Sequence, residues 1–479
     1  MQSEPRSSAA GQRFARAAIT LLAVIATFVT VEGICRLCGA LPAPAILGAI
    51  LAIGLARRHE GGGAKAFFVA PAIIAATALA AAAVGWLLHA SPFLGAVAFT
   101  GGMFLSVYLR NFGAPLRRAG ALIALPLVAM LVAPARADAP GGPLVDIALV
   151  IAAGICAYFF ATAARLLGAR VGIEPPAVRF AAPPRGGGRE RSGMPATTKL
   201  ALQMAVALGT SFVVGFAAFP QHWGWTVLTA FIVSSGARGR GDAAYKGILR
   251  LGGAIAGTIA AALLTHVWFP TGVAEACAIF GFLFLGLALR DVNYAYWAAC
   301  MTLVLALLSH PGGSVDLSFL GMRLEAILAG AACAVAAAWF VFPIKTVAVI
   351  RRRLADALLA FDELVANAHV SQEMRADKLA VFEHRLKELN EVAAPVRWHR
   401  RVVRRSNRSA HPATWIDLAS ALREHANRFG ENTADAHYRG TIRRAIAVSR
   451  GAIASHGKSE GLPVGDALKR LHDILLTRG

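Results

Sequence analysis

Apolar stretches of about 14–25 residues recur along this chain, separated by short polar joints, and that alternation sets the fold class. About 20 apolar residues span a bilayer core as one helix, because a helix satisfies its own backbone polar groups where no water can. Twelve such segments can be read, at 17–38, 42–56, 66–88, 92–110, 119–133 and 144–167, then at 197–219, 222–236, 246–268, 273–290, 294–309 and 319–342. Several hold only about 15 apolar residues, short for a full crossing. No long alternating strands appear, which argues against a transmembrane barrel. Of the 479 residues, 57% are hydrophobic, and mean hydropathy is +0.57. A soluble protein of this length is not that apolar. The expectation is an all-α polytopic membrane protein.

The formal net charge of +21 would suit nucleic acid, but the cations sit elsewhere than a binding face. They cluster in alternate joints: Arg57, Arg58 and Lys65, then Arg110, Arg117 and Arg118, then Arg165 to Arg191, Arg238 to Lys246, Arg290, and Lys345 to Arg353. The opposite joints carry few, with Arg36 and Arg136 as exceptions. Basic joints face the cytoplasm, so both termini are expected there, in a bacterial inner membrane. Arg6, Arg13 and Arg16 before the first apolar run could mark a signal peptide. An uncleaved first helix fits better, because the same segment type recurs far from the N-terminus.

Sliding residues 14–170 forward by 180 lays "FLSVYLR" over "FLGLALR", Arg58 over Arg238 and Arg110 over Arg290. Six segments per copy is even, so both copies keep one orientation, as parallel repeats with a pathway expected at their interface. The domain reading is therefore a first membrane repeat over 1–170 and a Pro-, Gly- and Arg-rich flexible cytoplasmic linker over 171–196. A second membrane repeat covers 197–345, and a cytoplasmic helical domain covers 346–479. Helical periodicity with mixed charge marks 351–370 and 374–392, with further helices near 413–429, 433–455 and 463–477.

Within the second copy, "YKGILRLGGAIAGT" places Lys246, Arg250, Gly253 and Gly257 at spacings of four, three and four, on one helix face. Cations in the first turns oppose the helix dipole by about 0.3–1 kcal/mol each. They form an anion-attracting mouth, or they are ordinary snorkelling cations. Arg250 lies a turn deeper than Lys246, where an ionisable group is a functional candidate. The two glycines read as a small-residue seam for close helix packing.

The longer stretch "HWGWTVLTAFIVSSGARGRGDAAYKGILRLGGAIAGT" resembles the signature of the fusaric acid resistance (aromatic acid exporter) family. The matching residues are Trp223, Trp225, Thr226 and Thr229, then Arg250, Gly253 and Gly257. A later pattern is matched by Tyr294, Tyr296 and Trp297, and by Arg323 with Gly330. The clear resemblance covers 197–345; the motif is shared with plant aluminium-activated malate channels. The first copy departs from it, with Ala70, Pro71 and Ile73 where Arg250, Leu251 and Gly253 stand. Long members of the family carry a larger central cytoplasmic domain than the linker found here.

The resemblance implies gradient-driven export of aromatic or amphipathic organic acids. The residues allow it: Arg250, Lys246 and Arg323 for a carboxylate, and Trp223, Trp225, Thr226 and Trp297 for the body of the substrate. Aromatic belts at the membrane interface are the competing reading for the rings. Gly253, Gly257 and Gly330 are assigned to helix packing. Glu325, two residues past Arg323, is the candidate proton-coupling group, while Glu32 has Arg36 four residues on and reads as a helix ion pair.

The remaining candidates are weaker. His89, His222, His266 and His310 fall at joints on one side with wide spacing, and Cys35-Arg-Leu-Cys38 has no second pair beside it. No metal and no cofactor is expected. The stretch "RWHRRVVRRSNR", 397–408, reads as anionic-lipid contact or a solvated loop. No P-loop and no nucleophile–base pattern occurs, so ATP drive and enzymatic activity are not expected. Partners expected are membrane lipid and a small organic anion, with a periplasmic adaptor protein and a second copy of the chain as further candidates, and no nucleic acid. The alternatives to an exporter are a passive organic-anion channel and a non-transporting membrane scaffold with a lipid-binding tail.

Overall fold

The structure, a computed structural model, describes residues 6–56, 64–132, 143–173, 194–267, 271–309, 317–367, 372–403, 411–428, 436–455 and 463–476. Among these residues there are helices and no strands. The apolar part forms α1 (Arg6–Leu37), α2 (Ala43–Ala56), α3 (Ala64–Ala90), α4 (Pro92–Tyr108), α5 (Ala114–Val132) and α6 (Pro143–Arg170). It continues with α7 (Ala196–Ala218), α8 (Trp223–Ser234), α9 (Arg240–Val267), α10 (Val273–Leu289), α11 (Tyr294–Ser309) and α12 (Leu317–Phe340). Each of the twelve expected segments falls on one of these helices. The chain is an all-α, multi-pass membrane protein. Residues 174–193 of the expected linker lie outside the described residues, as do Arg57, Arg58, Arg136 and His310.

Seven of the twelve, α1, α3, α4, α6, α7, α9 and α12, are long and apolar enough to cross a membrane. The others are shorter apolar helices. At 12 residues, α8 is about 18 Å long against a hydrocarbon core of about 30 Å. The backbone before it is nonetheless satisfied: the amide of Phe219 donates to the Gly215 carbonyl (2.9 Å) and that of His222 to Phe219 (2.9 Å).

The chain divides into two compact units, Met1–Gly236 with Lys246–Phe342, and Ala237–Tyr245 with Pro343–Gly479. In the first, α1, α2 and α6 pack mutually, as do α7, α8 and α12. Helix α4 packs on α5 and α10 on α11, while α4 meets α7 and α1 meets α10. These pairings recur at the 180-residue shift: advanced by 180, Pro92–Tyr108 covers Val273–Leu289, and Ala43–Ala56 covers Trp223–Ser234. Water drives no association inside a bilayer, so close packing of small residues does the work. Ala45, Ala52, Ala78, Ala153 and Ala157 are accordingly fully buried. Aromatic pairs join the two halves, Phe99 with Phe212 (5.5 Å) and Phe28 with Phe280 (5.7 Å). The Gln203 side chain donates to the carbonyls of Val341 (2.9 Å) and Phe342 (3.2 Å), the two residues that follow α12, where Phe342 has a φ of 47°. As expected, Glu32 and Arg36 form an i,i+4 ion pair at 2.9 Å.

The second unit is a helical bundle of α13 (Thr346–Ala366), α14 (Gln372–Asn390), α15 (Ala393–Val402), α16 (Pro412–Arg428), α17 (Ala436–Ala454) and α18 (Val464–Leu476). Its core is set by three- and four-residue spacing: Leu354, Leu358 and Phe361 on α13, Phe382, Leu386 and Leu389 on α14, and Leu468, Leu471 and Leu475 on α18. Each such side chain contributes about 1.5–3 kcal/mol on burial. Residues 237–245 group here although sequence places them in the membrane half. The reason is polar: Gly241 N–H donates to Thr346 Oγ1 (3.0 Å) and Arg240 N–H to the Ile344 carbonyl (3.1 Å).

The described part of the basic stretch, 397–403, differs from the loop reading. Its first six residues end α15, and Arg397 and Arg400 each pair with Asp417 of α16 at 3.0 Å. Those two cations are tied to a neighbouring helix and do not form a free basic surface. Arg404, Arg405 and Arg408 lie outside the described residues.

Candidate functional site

Helices α8, α9, α11 and α12 converge because glycines remove the side chains that would hold them apart. A Cβ at Gly253 of α9 would stand 2.6 Å from both the Ala295 carbonyl oxygen and the Ala298 Cβ of α11. One at Gly257 would collide with the Ala299 carbonyl and lie 2.8 Å from the Thr302 Cβ. On α12, a Cβ at Gly330 would overlap the Thr226 carbonyl of α8 and come within 3.1 Å of the Thr229 Cβ. All three glycines assigned to packing are thus at helix contacts. Gly252 has nothing within 4 Å. Gly252→Ala is expected to leave thermal stability in detergent unchanged or raised by about 0.5–1 kcal/mol. Gly253→Ala is expected to lower it by about 1–3 kcal/mol.

This close packing encloses two arginines. Arg250, ten residues into α9 and so about 15 Å along it, is 2% exposed, and Arg323 of α12 is 1% exposed. They lie within electrostatic reach of one another. The guanidinium carbon of Arg323 stands 4.1 Å from the Trp225 ring centroid, a stacked cation–π contact. Yet Nε, Nη1 and Nη2 of Arg323 and Nε of Arg250 are buried without a hydrogen-bond acceptor among the described residues. The hydroxyls of Thr226 and Thr229, beside Trp225 on α8, are buried and unpaired too. So are those of Thr258 on α9 and Thr302 on α11. Tyr294, at the start of α11, is within electrostatic reach of Arg250.

An unpaired buried cation costs several kcal/mol, and each unmet buried donor adds to that. Folds keep such groups where something else satisfies them. Like charges are brought together here with no carboxylate pairing Arg323 among the described residues, so what fits is an acceptor-rich anion. The Trp225 ring covers Arg323 on one side, and the unpaired guanidinium nitrogens remain to bind oxygens.

Sequence reasoning named Arg250, Arg323, Trp225 and Thr226, and these stand together. Other named residues stand elsewhere. Lys246 Nζ donates to the Ser235 carbonyl at 3.2 Å, closing the turn after α8. Trp223 packs with Phe212 (5.6 Å) and Phe216 (5.4 Å), an aromatic joint between α7 and α8. Trp297 lies under Arg290, 5.0 Å from its guanidinium carbon. Glu325 is exposed on the outward face of α12 and does not face Arg323, because two residues of helix turn it away. Thr258 and Thr302 were missed; a threonine in an apolar helix carries no sequence signal of whether its hydroxyl has a partner. Among the described residues no His, Cys, Asp or Glu cluster suits a metal.

Residues 204–337, from α7 through α12, match the family described as fusaric acid resistance protein-like. No curated protein and no solved structure matches the chain.

Proposed function

We propose that the chain exports aromatic or amphipathic organic acids through the Arg250–Arg323 site, a reading supported by the match of residues 204–337 to the family described as fusaric acid resistance protein-like. The observation that carries this reading is Arg323, fully buried with three guanidinium nitrogens unpaired beside a second arginine. The charge selects an anion, and Trp225 supplies a ring against which a planar carboxylate or an aromatic body lies. The short helix α8 carries Trp225, Thr226 and Thr229 to the site, and its 12 residues pack against α7 and α12. The recurrence of helix pairings at the 180-residue shift supports two parallel repeats, of which the second carries the charge. Both termini are assigned to the cytoplasm from the joint charges.

Proton coupling is assigned to Glu325, the one acid on α12. A second reading, a passive organic-anion channel, is favoured by Glu325 facing away from the arginines. Flux of an aromatic carboxylate into proteoliposomes, with empty liposomes as blank, separates the two. For the exporter, flux follows an imposed pH gradient and Glu325→Gln removes that dependence. For the channel, flux follows voltage and ignores both. Arg250→Ala lowers flux about tenfold or more in either case, from the loss of a charged hydrogen-bond donor. No flux under any gradient would sink both readings and leave a membrane scaffold.

A further inference from the structure

Helix α16 of the second unit is held at each end by a pair of histidines, and the pair at its start is built so that a proton would break it. His411 precedes the helix. Its Nδ1 accepts the Ala413 N–H at 3.2 Å, and its carbonyl accepts that of Thr414 at 2.9 Å. An N-cap acceptor normally comes from Ser, Thr, Asp or Asn; here an imidazole nitrogen supplies it. The other ring nitrogen, Nε2, faces Nδ1 of His399 on α15 at 3.5 Å, with the rings inclined by 16°.

This arrangement fixes the tautomers. Because His411 Nδ1 accepts, its one proton sits on Nε2, directed at His399 Nδ1 as acceptor. A second proton on His411 can go only to Nδ1, where it removes the cap and places a cation on the positive end of the helix dipole. A proton on His399 Nδ1 instead sets two N–H groups against each other. The other charged groups nearby are Arg400 and Arg397 on α15 and Asp417 on α16, and Asp417 is held by both arginines at 3.0 Å. At the far end, His425 meets His472 of α18 edge to face at 5.3 Å, with His472 Nδ1 buried and lacking a hydrogen-bond partner.

We propose that α16 is an acid-released helix: it stays capped and docked while His411 is neutral, and protonation of His411 uncaps its N-terminal end and frees it from α15. Burial, then His399 and Arg400, hold the His411 pKa below its ordinary 6.5. A depressed imidazole contributes its full stability above the ordinary value, and that contribution is lost as pH falls below 6.5 toward the folded-state value. With one proton taken up on opening, the open population rises by up to tenfold per pH unit in that window. The inference is independent of what the membrane unit carries.

Hydrogen exchange on the full chain in detergent, corrected for chemical exchange and followed from pH 7.5 to 5.0, tests it. Amides at the start of α16 should lose protection steeply below pH 6.5, while α17 keeps its own. His411→Asn retains a cap acceptor that cannot titrate, so its profile should be flat. His399→Gln removes the second imidazole that helps hold the His411 value down, so the folded-state value moves toward 6.5 and the loss of protection should be smaller than in the native chain. A native profile flat to pH 5.0, or His411→Asn with the native pH dependence, overturns the proposal. If His411→Asn already lacks α16 protection at pH 7.5, His399→Gln decides: an unmoved profile overturns it.

Discussion

Replacing Arg323 with Met is expected to raise thermal stability while removing anion transport. The two effects have one cause. The guanidinium is fully buried, has Trp225 on one face and, among the described residues, lacks a hydrogen-bond acceptor for any of its nitrogens. Exchanging a buried, uncompensated charge for an apolar side chain of similar length stabilises by about 1–4 kcal/mol in comparable cases. The same exchange leaves a bound carboxylate facing only Arg250 and the Thr226 and Thr229 hydroxyls. Truncating one partner of a buried charge pair costs about 2–5 kcal/mol of binding, roughly 30-fold to several thousand-fold. The measurement is thermal unfolding in detergent with and without an aromatic carboxylate, beside flux in proteoliposomes. Native protein should gain melting temperature with the anion, because a ligand that binds only the folded state stabilises it. Arg323→Met should start higher and gain nothing. A structural arginine would show the reverse, a lower melting temperature without ligand, and that result would sink the site. Lys246→Met is the companion control: its amine closes a turn on the Ser235 carbonyl, so flux should largely persist.

How much of this was legible in the sequence follows from what each signal encodes. All twelve apolar helices were legible, because each is an apolar run bounded by a polar, Gly- or Pro-containing joint, whatever packs beside it. The glycine seam on α9 was legible for a related reason: spacings of three and four put Gly253 and Gly257 on one face whatever packs there. Identity of the partner was not. Trp223, Trp225 and Trp297 look alike in sequence, and only the helix opposite each decides that Trp225 meets Arg323, Trp297 meets Arg290 and Trp223 meets Phe212 and Phe216. Lys246 shares a face with Arg250 in sequence, yet its long stem reaches back to the turn after α8. In the second unit, periodicity found five of the six helices, while α15 was hidden among arginines that read as a loop or a lipid contact. What ties that segment to its neighbour is a long-range fact, Asp417 on α16 accepting both Arg397 and Arg400. The His399–His411 contact was equally hidden, since twelve residues of chain separate rings that touch.

Gly330→Ala should be the most damaging single-methyl substitution in the membrane half. The added Cβ would overlap the Thr226 carbonyl and lie 3.0 Å from the carbonyl carbon and 3.1 Å from the Thr229 Cβ. The first two are backbone atoms of α8, which cannot rotate away as a side-chain tip can. Either α8 and α12 separate by several tenths of an ångström along their contact, or α8 shifts along its axis. Overpacking of this kind costs about 1–3 kcal/mol and occasionally more. The helix-propensity gain from glycine to alanine, about 1 kcal/mol, offsets part of it. Gly209 on α7 has open space around its Cβ position, so Gly209→Ala should keep that gain undiminished and serves as the matched control. The functional consequence exceeds the stability loss, because α8 carries Trp225 and α12 carries Arg323, which stack at 4.1 Å. A displacement of the two helices acts directly on that contact and on the Thr226 and Thr229 hydroxyls. Gly330→Ala is therefore expected to lower the melting temperature and to weaken anion-dependent stabilisation and flux together. Arg323→Met separates those readouts, with stability rising and flux lost. Unchanged flux in a folded Gly330→Ala protein would mean that the α8–α12 contact does not position the site, and would move the anion path away from Trp225.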